Sequence, residues 1–409
     1  MTGKPYRLPA TAAKGSRIDR SKQISFSFDG TRMTGFAGDT VASAVLASGR
    51  KVMGRSFKYH RPRGLIGLGS EEMNALVGVG EGGREEPNLR ATQVELYDGL
   101  TATSQNRWPN LDFDIGIINN KFSRFLPGGF YYKTFMWPRS FWEKIYEPFI
   151  RNAAGLGEAA SEHDPDTYEQ MHVHVDVLVV GGGVSGIAAA HAAAATGKRV
   201  MLADENPVLG GVADISAGDI DGISQTDWVS ARQAEFETSG NCHVLTRTTV
   251  VGPYHHNYVL AAERVCDHDP DLLAQGAPRH RLWKIRAGQI IVASGALERP
   301  IAFANNDRPG IMMASAARAM VERYATSPGM NGIIFTNNDD GYLTALKLHD
   351  AGVAVSRIID VRMDVPSGVA DAARNAGLNV QAGAAIAGVE TGSGGKQITA
   401  VKIAPYSVG

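Results

Sequence analysis

Val177-Leu-Val-Val-Gly181-Gly182-Gly183-Val184-Ser185-Gly186-Ile187-Ala188-Ala189-Ala190 is the stretch on which the fold turns. Its first four residues read as the end of a buried strand, and the alanine-rich run at its end reads as a helix. Between them lies G-x-G-x-x-G. Gly181 permits a tight turn, Gly183 lets backbone amides approach a pyrophosphate, and Gly186 lets helix and strand pack closely. The helix N-terminus adds unpaired N–H groups and a partial positive charge for phosphates. Alone the motif is weak; its surroundings make it specific. A strand expected at Val200–Ala203 runs into Asp204, 18 residues after Gly186. A carboxylate at that place accepts hydrogen bonds from an adenosine ribose. With Glu205 beside it, the 2′-phosphate of NADP is disfavoured.

Three later stretches extend the site. Leu209-Gly210-Gly211-Val212 puts paired glycines where backbone runs beside a cofactor, and Thr248-Thr249-Val250-Val251 fits the strand end that flanks an adenine. Ile290–Ala296, with Ser294-Gly295-Ala296, resembles the hydrophobic strand and glycine turn of two-dinucleotide flavoproteins. The expected ligand is an ADP-containing dinucleotide. FAD and NAD share that half, so these residues do not choose between them.

Outward from the motif, helix Val184–Ala195 and further strands at Cys242–Leu245, Tyr258–Ala262 and Gln289–Ala293 give the alternation of an α/β domain with a parallel sheet. We place this dinucleotide-binding domain at 171–300. A second α/β unit, 301–409, opens with a strand at Gly332–Thr336, helix Gly341–Ala351 and strand Val353–Ile359. Where it should carry glycines it reads Thr336-Asn337-Asn338-Asp339-Asp340-Gly341. Two carboxylates at a helix start oppose an incoming pyrophosphate, so its nucleotide site reads as degenerate. Upstream, Ile24–Phe28 alternates apolar and polar, and Asp29-Gly30 is a hairpin turn. A returning strand near Arg32–Phe36, a helix Thr40–Ala47 capped by Asp39, and strands at Leu76–Val79 and Thr92–Leu96 read as a β-grasp domain. With its basic N-terminal arm it fills 1–105. Residues 106–170 form a connector in which ten of the 25 residues from Phe125 to Phe149 are aromatic. Those rings either pack on neighbouring domains or meet a partner subunit.

Glycine is the compositional outlier, 47 of 409 residues or about 11% against a usual ~7%. Charges nearly cancel, with 41 basic and 42 acidic residues. This speaks against nucleic acid or an anionic membrane as partner, in spite of the basic run Arg50–Arg63, which reads as a solvated or partner-facing loop. Two cysteines, Cys242 and Cys266, can supply neither an iron–sulfur cluster nor a C-x-x-C redox pair. His255, His256, His268 and His280 match no compact ligand spacing, and no metal site is assigned. No signal peptide or run of about 18 apolar residues is found, which points to the cytoplasm. No acid/base or nucleophile constellation stands out, and no catalytic residue is assigned.

Longer motifs bear on the family. They are Arg55–Gly64 (RSFKYHRPRG), Glu86–Thr92 (EPNLRAT), Ser104–Pro109 (SQNRWP), Gly129–Pro138 (GFYYKTFMWP), Ala154–Gly157 and Ser294–Pro300 (SGALERP). With the glycine motif and Ala203-Asp204-Glu205 they resemble the alpha subunit of heterotetrameric sarcosine oxidase over essentially the whole chain. The resemblance implies a two-dinucleotide-type Rossmann fold preceded by a ferredoxin-like β-grasp domain without cluster cysteines, the cluster loop being Arg55–Arg63. It implies NAD in this chain, with FAD and FMN in or against the beta subunit. Ser185 and Gly186 would line the pyrophosphate, Asp204 and Glu205 would take the ribose with Asn206 beside it, and Val212 and Val250 would enclose adenine. The implied reaction oxidises sarcosine to glycine, yielding formaldehyde or methylene-tetrahydrofolate and hydrogen peroxide, with beta, gamma and delta-type subunits as partners. Family members continue into a folate-binding domain, so the chain reads as an N-terminal portion. The residues alone leave two alternatives: a stand-alone FAD-dependent oxidoreductase, and a scaffold with a structural nucleotide.

Overall fold

The computed structural model describes residues 6–13, 16–125, 129 and 135–406. The chain divides into two compact units, Met1–Asp164 with Glu298–Gly409, and Pro165–Leu297.

The first unit begins with strands β1 (Asp19–Phe28) and β2 (Thr31–Ala37), joined through Asp29 and Gly30 at φ 50° and 72°. Positive φ at both central residues is the type I′ geometry that matches strand twist, which is why Asp-Gly stands there. Helix α1 (Val41–Ala47) is buried along its whole length. Strands β3 (Leu76–Val79), β4 (Glu86–Arg90) and β5 (Thr101–Ser104) complete a sheet of order β2-β1-β5-β3-β4. Two expectations are corrected. Thr40, not Asp39, caps α1: its hydroxyl accepts from the Ser43 amide at 3.2 Å, and the Ser43 hydroxyl accepts from the Thr40 amide at 2.9 Å. The Asp39 carboxylate instead pairs with Arg7 at 2.6 Å. Thr92–Leu96 is no strand. The carbonyls of Ala91 and Val94 accept from the Ala42 and Val41 amides, each at 2.9 Å, so this segment satisfies the open N-terminus of α1.

The run Arg50–Arg63, expected as a solvated or partner-facing loop, is tied inward at Arg55 and His60 while Phe57 is exposed. Gly54–Arg55 pairs antiparallel with Pro62–Arg63. Buried Arg55 donates to the carbonyls of Leu111 and His60, both at 3.1 Å, and His60 Nδ1 lies 3.0 Å from Asp114. In the connector, Phe130, Tyr131 and Tyr132 lie outside the described residues, as does the end of the chain from Ser407. Trp137, Phe141, Trp142 and Phe149 are exposed.

The unit Pro165–Leu297 carries β6 (Tyr168–Val180), α2 (Val184–Ala194), β7 (Val200–Ala203), α3 (Gln225–Ser239), β8 (Cys242–Leu245), β9 (Thr248–Tyr254), β10 (Tyr258–Arg264) and β11 (His280–Val292). Sheet order is β8-β7-β6-β11-β10-β9. The first four strands are parallel and the last two return antiparallel. Burial between neighbouring parallel strands explains the apolar runs of Val177–Val180 at the end of β6 and of all of β7.

The rest of the first unit holds α4 (Ala314–Tyr324), β12 (Asn331–Thr336), α5 (Asp340–Asp350), β13 (Ala354–Asp360), α6 (Gly368–Asn375), β14 (Val380–Gln381), and the hairpin β15 (Ala384–Thr391) and β16 (Ile398–Pro405). Met320 and Tyr324 of α4 belong to the same core as Phe28, Val45 and Leu100 of the β-grasp sheet. The Leu8 amide reaches the Ala325 carbonyl at 2.8 Å, and the Met313 amide that of Ile66 at 2.9 Å. The segments read from sequence as first and last domains therefore share one unit. Among the described residues no helix is long and apolar enough to cross a membrane.

Candidate dinucleotide site

The glycines after β6 do different things. Gly181 stands at φ 103°, and a Cβ there would lie 2.4 Å from the Ala293 carbonyl oxygen at the end of β11. At Gly186 a Cβ would lie 1.8 Å from the Gly181 oxygen, so only a glycine lets α2 cross the strand end at this height. Gly183 caps α2 with φ −72° and ψ 178°, and a Cβ there meets nothing within 4 Å. No side chain caps the helix and no acid lies in its first turn. Ser185 in that turn is exposed. An unblocked helix N-terminus fronted by open space is the form a pyrophosphate needs, and these residues fit one.

The paired glycines close the turn from the other side. The Gly210 amide donates to the Gly182 carbonyl at 2.8 Å, and a Cβ on Gly211 would come 3.0 Å from Gly183 Cα. Val212 behind them is exposed. Val250 on β9 is half-buried against a cluster that includes Leu178, Met201 and Leu245. Gly295, at φ 72° with open space about it, lies just beyond the β11 end that Gly181 abuts.

Asp204 departs from the ribose role expected of it. Its Oδ2 accepts the Gly182 amide at 2.5 Å, and its Oδ1 accepts the backbone and side-chain N–H groups of Asn206 at 2.7 and 2.9 Å. The buried carboxylate holds the glycine turn to the end of β7 through Oδ2 and fixes Asn206 through Oδ1. The Glu205 backbone carbonyl accepts from Arg264 Nη2 at 3.1 Å, while its carboxylate makes no hydrogen bond or ion pair among the described residues, so it is the carboxylate available to a hydroxyl here. Gly182 was overlooked in the sequence because the motif leaves its position free. A Cβ there would meet Leu209 at 2.5 Å and Asp204 at 3.0 Å. Three glycines in a row, where two are required, were the signal.

At the start of α5, Arg362 Nη1 pairs with Asp339 at 2.9 Å and Arg318 Nη1 with Asp340 at 2.9 Å. A Cβ on Gly341 would come 2.5 Å from the Thr336 side chain. Both acids are about half exposed, so each pair is worth at most about 1 kcal/mol. Asp339→Asn with Asp340→Asn is therefore expected to leave the ligand content of the purified protein unchanged while lowering its unfolding temperature by a few degrees. Loss of nucleotide would show that α5 holds it.

Cys242 and Cys266 are both buried. Burial pushes the Cys242 thiol up to about 11, which keeps it protonated and unreactive. His280 Nε2 lies 2.9 Å from Asp267, which also takes Arg279 Nε at 2.9 Å.

The loop between Gly64 and β3 has a further feature. Buried Glu72 accepts four backbone amides: Ile66 and Gly67 on Oε2 at 2.7 and 2.9 Å, Asn74 and Ala75 on Oε1 at 2.6 and 3.2 Å. Glu71 accepts the amides of Leu68 and Gly69 at 2.6 and 3.1 Å. Burial pushes the Glu72 carboxyl above its ordinary value, outweighing the four amides that pull it down.

Comparison with known proteins agrees with this division. Residues 21–107 match a family described as a 2Fe-2S iron-sulfur cluster binding domain, and residues 176–252 one described as FAD dependent oxidoreductase. The chain is 50% identical over 398 residues to a protein of Rhizobium meliloti named sarcosine oxidase subunit alpha, covering 97% of this chain and 39% of that one. A Corynebacterium protein of the same name is 36% identical over 405 residues, covering 98% and 37%. The chain thus spans under two-fifths of the length of these relatives. An L-proline dehydrogenase from P. horikoshii shares the fold at TM-score 0.55 and 18% identity, over 86% of this chain and 56% of that one. The second family match favours FAD, and the expectation of NAD finds no support in it.

Proposed function

The chain belongs to the sarcosine oxidase alpha-subunit family, and from that premise we propose that it is the dinucleotide-holding part of a multi-subunit flavoenzyme oxidising sarcosine or a close secondary amine. The observation that carries this is the open cradle at Gly183, walled by glycines that tolerate no side chain and fronting an uncapped helix. The α2 amides and Ser185 would hold the pyrophosphate, Glu205 and Asn206 the ribose, and Val250 and Val212 the adenine, with Gly210, Gly211 and Gly295 lending bare backbone. Asp204 positions the turn from behind. When bound, FAD would supply acceptance of two electrons from an amine. This chain's residues bind and orient the ADP half; no pair of groups in the motif regions grips an amino-acid carboxylate or moves its proton, and we assign that chemistry to a partner subunit.

We further propose that the β-grasp domain works without a cluster. Residues 21–107 contain no cysteine. Laid on the Gly64–Ala75 loop, the plant-type spacing C-x4-C-x2-C falls on Gly67, Glu72 and Ala75. None of these is a thiolate, and the amides that would face a cluster are taken by Glu72. We therefore read this loop, in preference to Arg55–Arg63, as the counterpart of the cluster loop.

The test is to release the ligand from purified protein, identify it by mass spectrometry, and assay sarcosine-dependent peroxide with and without the partner subunits. FAD at one per chain, with turnover only in the complex, is expected. NAD in its place would overturn the FAD assignment; turnover by the isolated chain would overturn the division of labour.

A further inference from the structure

Within the first unit, three arginines converge on one acid. Arg61 Nη2 lies 3.1 Å from Asp307 Oδ1, Arg63 Nη2 3.2 Å from its Oδ2, and Arg308 Nε 3.8 Å from its Oδ1. Asp307 is the sole carboxylate paired with any of them among the described residues, so the group carries a net charge of about +2. The four side chains are only 13 to 25% exposed. Charge of one sign gathered in partly dehydrated surroundings is costly, and burial together with the neighbouring Arg61 lowers the affinity of Arg63 and Arg308 for their protons.

Hydrogen bonding is incomplete as well. Arg61 spends Nη2 on Asn305 at 2.8 Å as well as on Asp307, and Arg63 donates Nη1 to the Asp307 carbonyl at 3.4 Å. The guanidinium of Arg308 makes no hydrogen bond among the described residues, and the buried Nε atoms of Arg61 and Arg308 have no acceptor. Bare backbone at Gly395 leaves room for Arg308, since a Cβ there would lie 2.7 Å from its Nη1.

We propose that Arg61, Arg63 and Arg308 form an anion site for a phosphate group, with Asp307 holding the three guanidinium groups in place. A tetrahedral dianion matches the net charge. It offers enough oxygens for the unmatched N–H groups, and guanidinium forks bind it in pairs. All four side chains belong to the first unit.

The test uses the whole protein with its native ligand. Unfolding temperature and calorimetric heat are followed on adding inorganic phosphate, with sodium chloride at equal ionic strength as control and phenyl phosphate as a second arm. A saturable rise in unfolding temperature with phosphate, absent with chloride, is expected. Arg308→Gln should weaken phosphate binding at least tenfold while dinucleotide content stays at the wild-type level. Arg61→Gln serves if Arg308→Gln does not fold. Equal response to both arms identifies the phosphate group itself as the ligand; response to free phosphate alone identifies a site closed to esters. No saturable effect in the wild type, or an undiminished one in the folded variant, overturns the proposal.

Discussion

Gly183→Val is expected to purify with less than about a tenth of the wild-type dinucleotide and with the unfolding temperature of ligand-stripped wild type. Its backbone, at φ −72° and ψ 178°, is extended and open to any residue, and its Cβ direction is empty to 4 Å. The Cβ of the valine therefore meets no protein atom outside its chain neighbours. It occupies the volume in which the pyrophosphate approaches the α2 amides, and a phosphate displaced by one side chain loses those bonds together. Three positions along, the outcome reverses. Gly186→Ala drives a methyl group to 1.8 Å from the Gly181 oxygen, so the expected result is loss of folded protein rather than loss of ligand. Ligand content and thermal unfolding measured on both variants separate the two roles. A Gly183→Val protein with full ligand would place the site elsewhere.

Glu72→Ala is expected to cost about 3–5 kcal/mol of stability, because four buried amides lose their acceptor and each such loss is worth about 1–3 kcal/mol before water enters. Glu72→Gln should recover part of this, since its carbonyl oxygen still accepts while its amide group faces donors. Denaturant unfolding gives the comparison, and a loss under about 1 kcal/mol in the alanine variant would show that the loop holds itself. The pH dependence has a definite sign. Burial raises the folded pKa above 4.5, so the group's contribution is complete below that pH and declines as pH rises through the folded value. The gap between wild type and alanine variant should narrow over that window.

What could be read from the residues was local. The G-x-G-x-x-G turn, the Asp29-Gly30 hairpin and the strands at Val200–Ala203 and Cys242–Leu245 are set by neighbours in the chain, and they stand where the pattern put them. The failures have a common physical source in demands made from a distance. Thr92–Leu96 has strand-like residues, yet the open amides of α1 claim its neighbourhood. Asp204 has the ribose position, yet Gly182 and Asn206 take its oxygens. Arg55 looks like part of a solvated basic run, yet the Leu111 and His60 carbonyls draw it inside. Glu72 sits between Glu71 and Met73, and nothing local announces that its charged side chain will be buried. The choice between FAD and NAD was not legible at all, since the motif touches only the half they share.

The closure of the Gly64–Ala75 loop by Glu72 bears on how the protein matures. An iron–sulfur centre is assembled from metal and sulfide and inserted after the chain is made, so a domain that depends on one waits for that supply. A glutamate arrives with translation. On the cluster-free reading proposed above, a β-grasp domain locked by its own carboxylate would complete its core as soon as the chain folds, whatever the iron status of the cell.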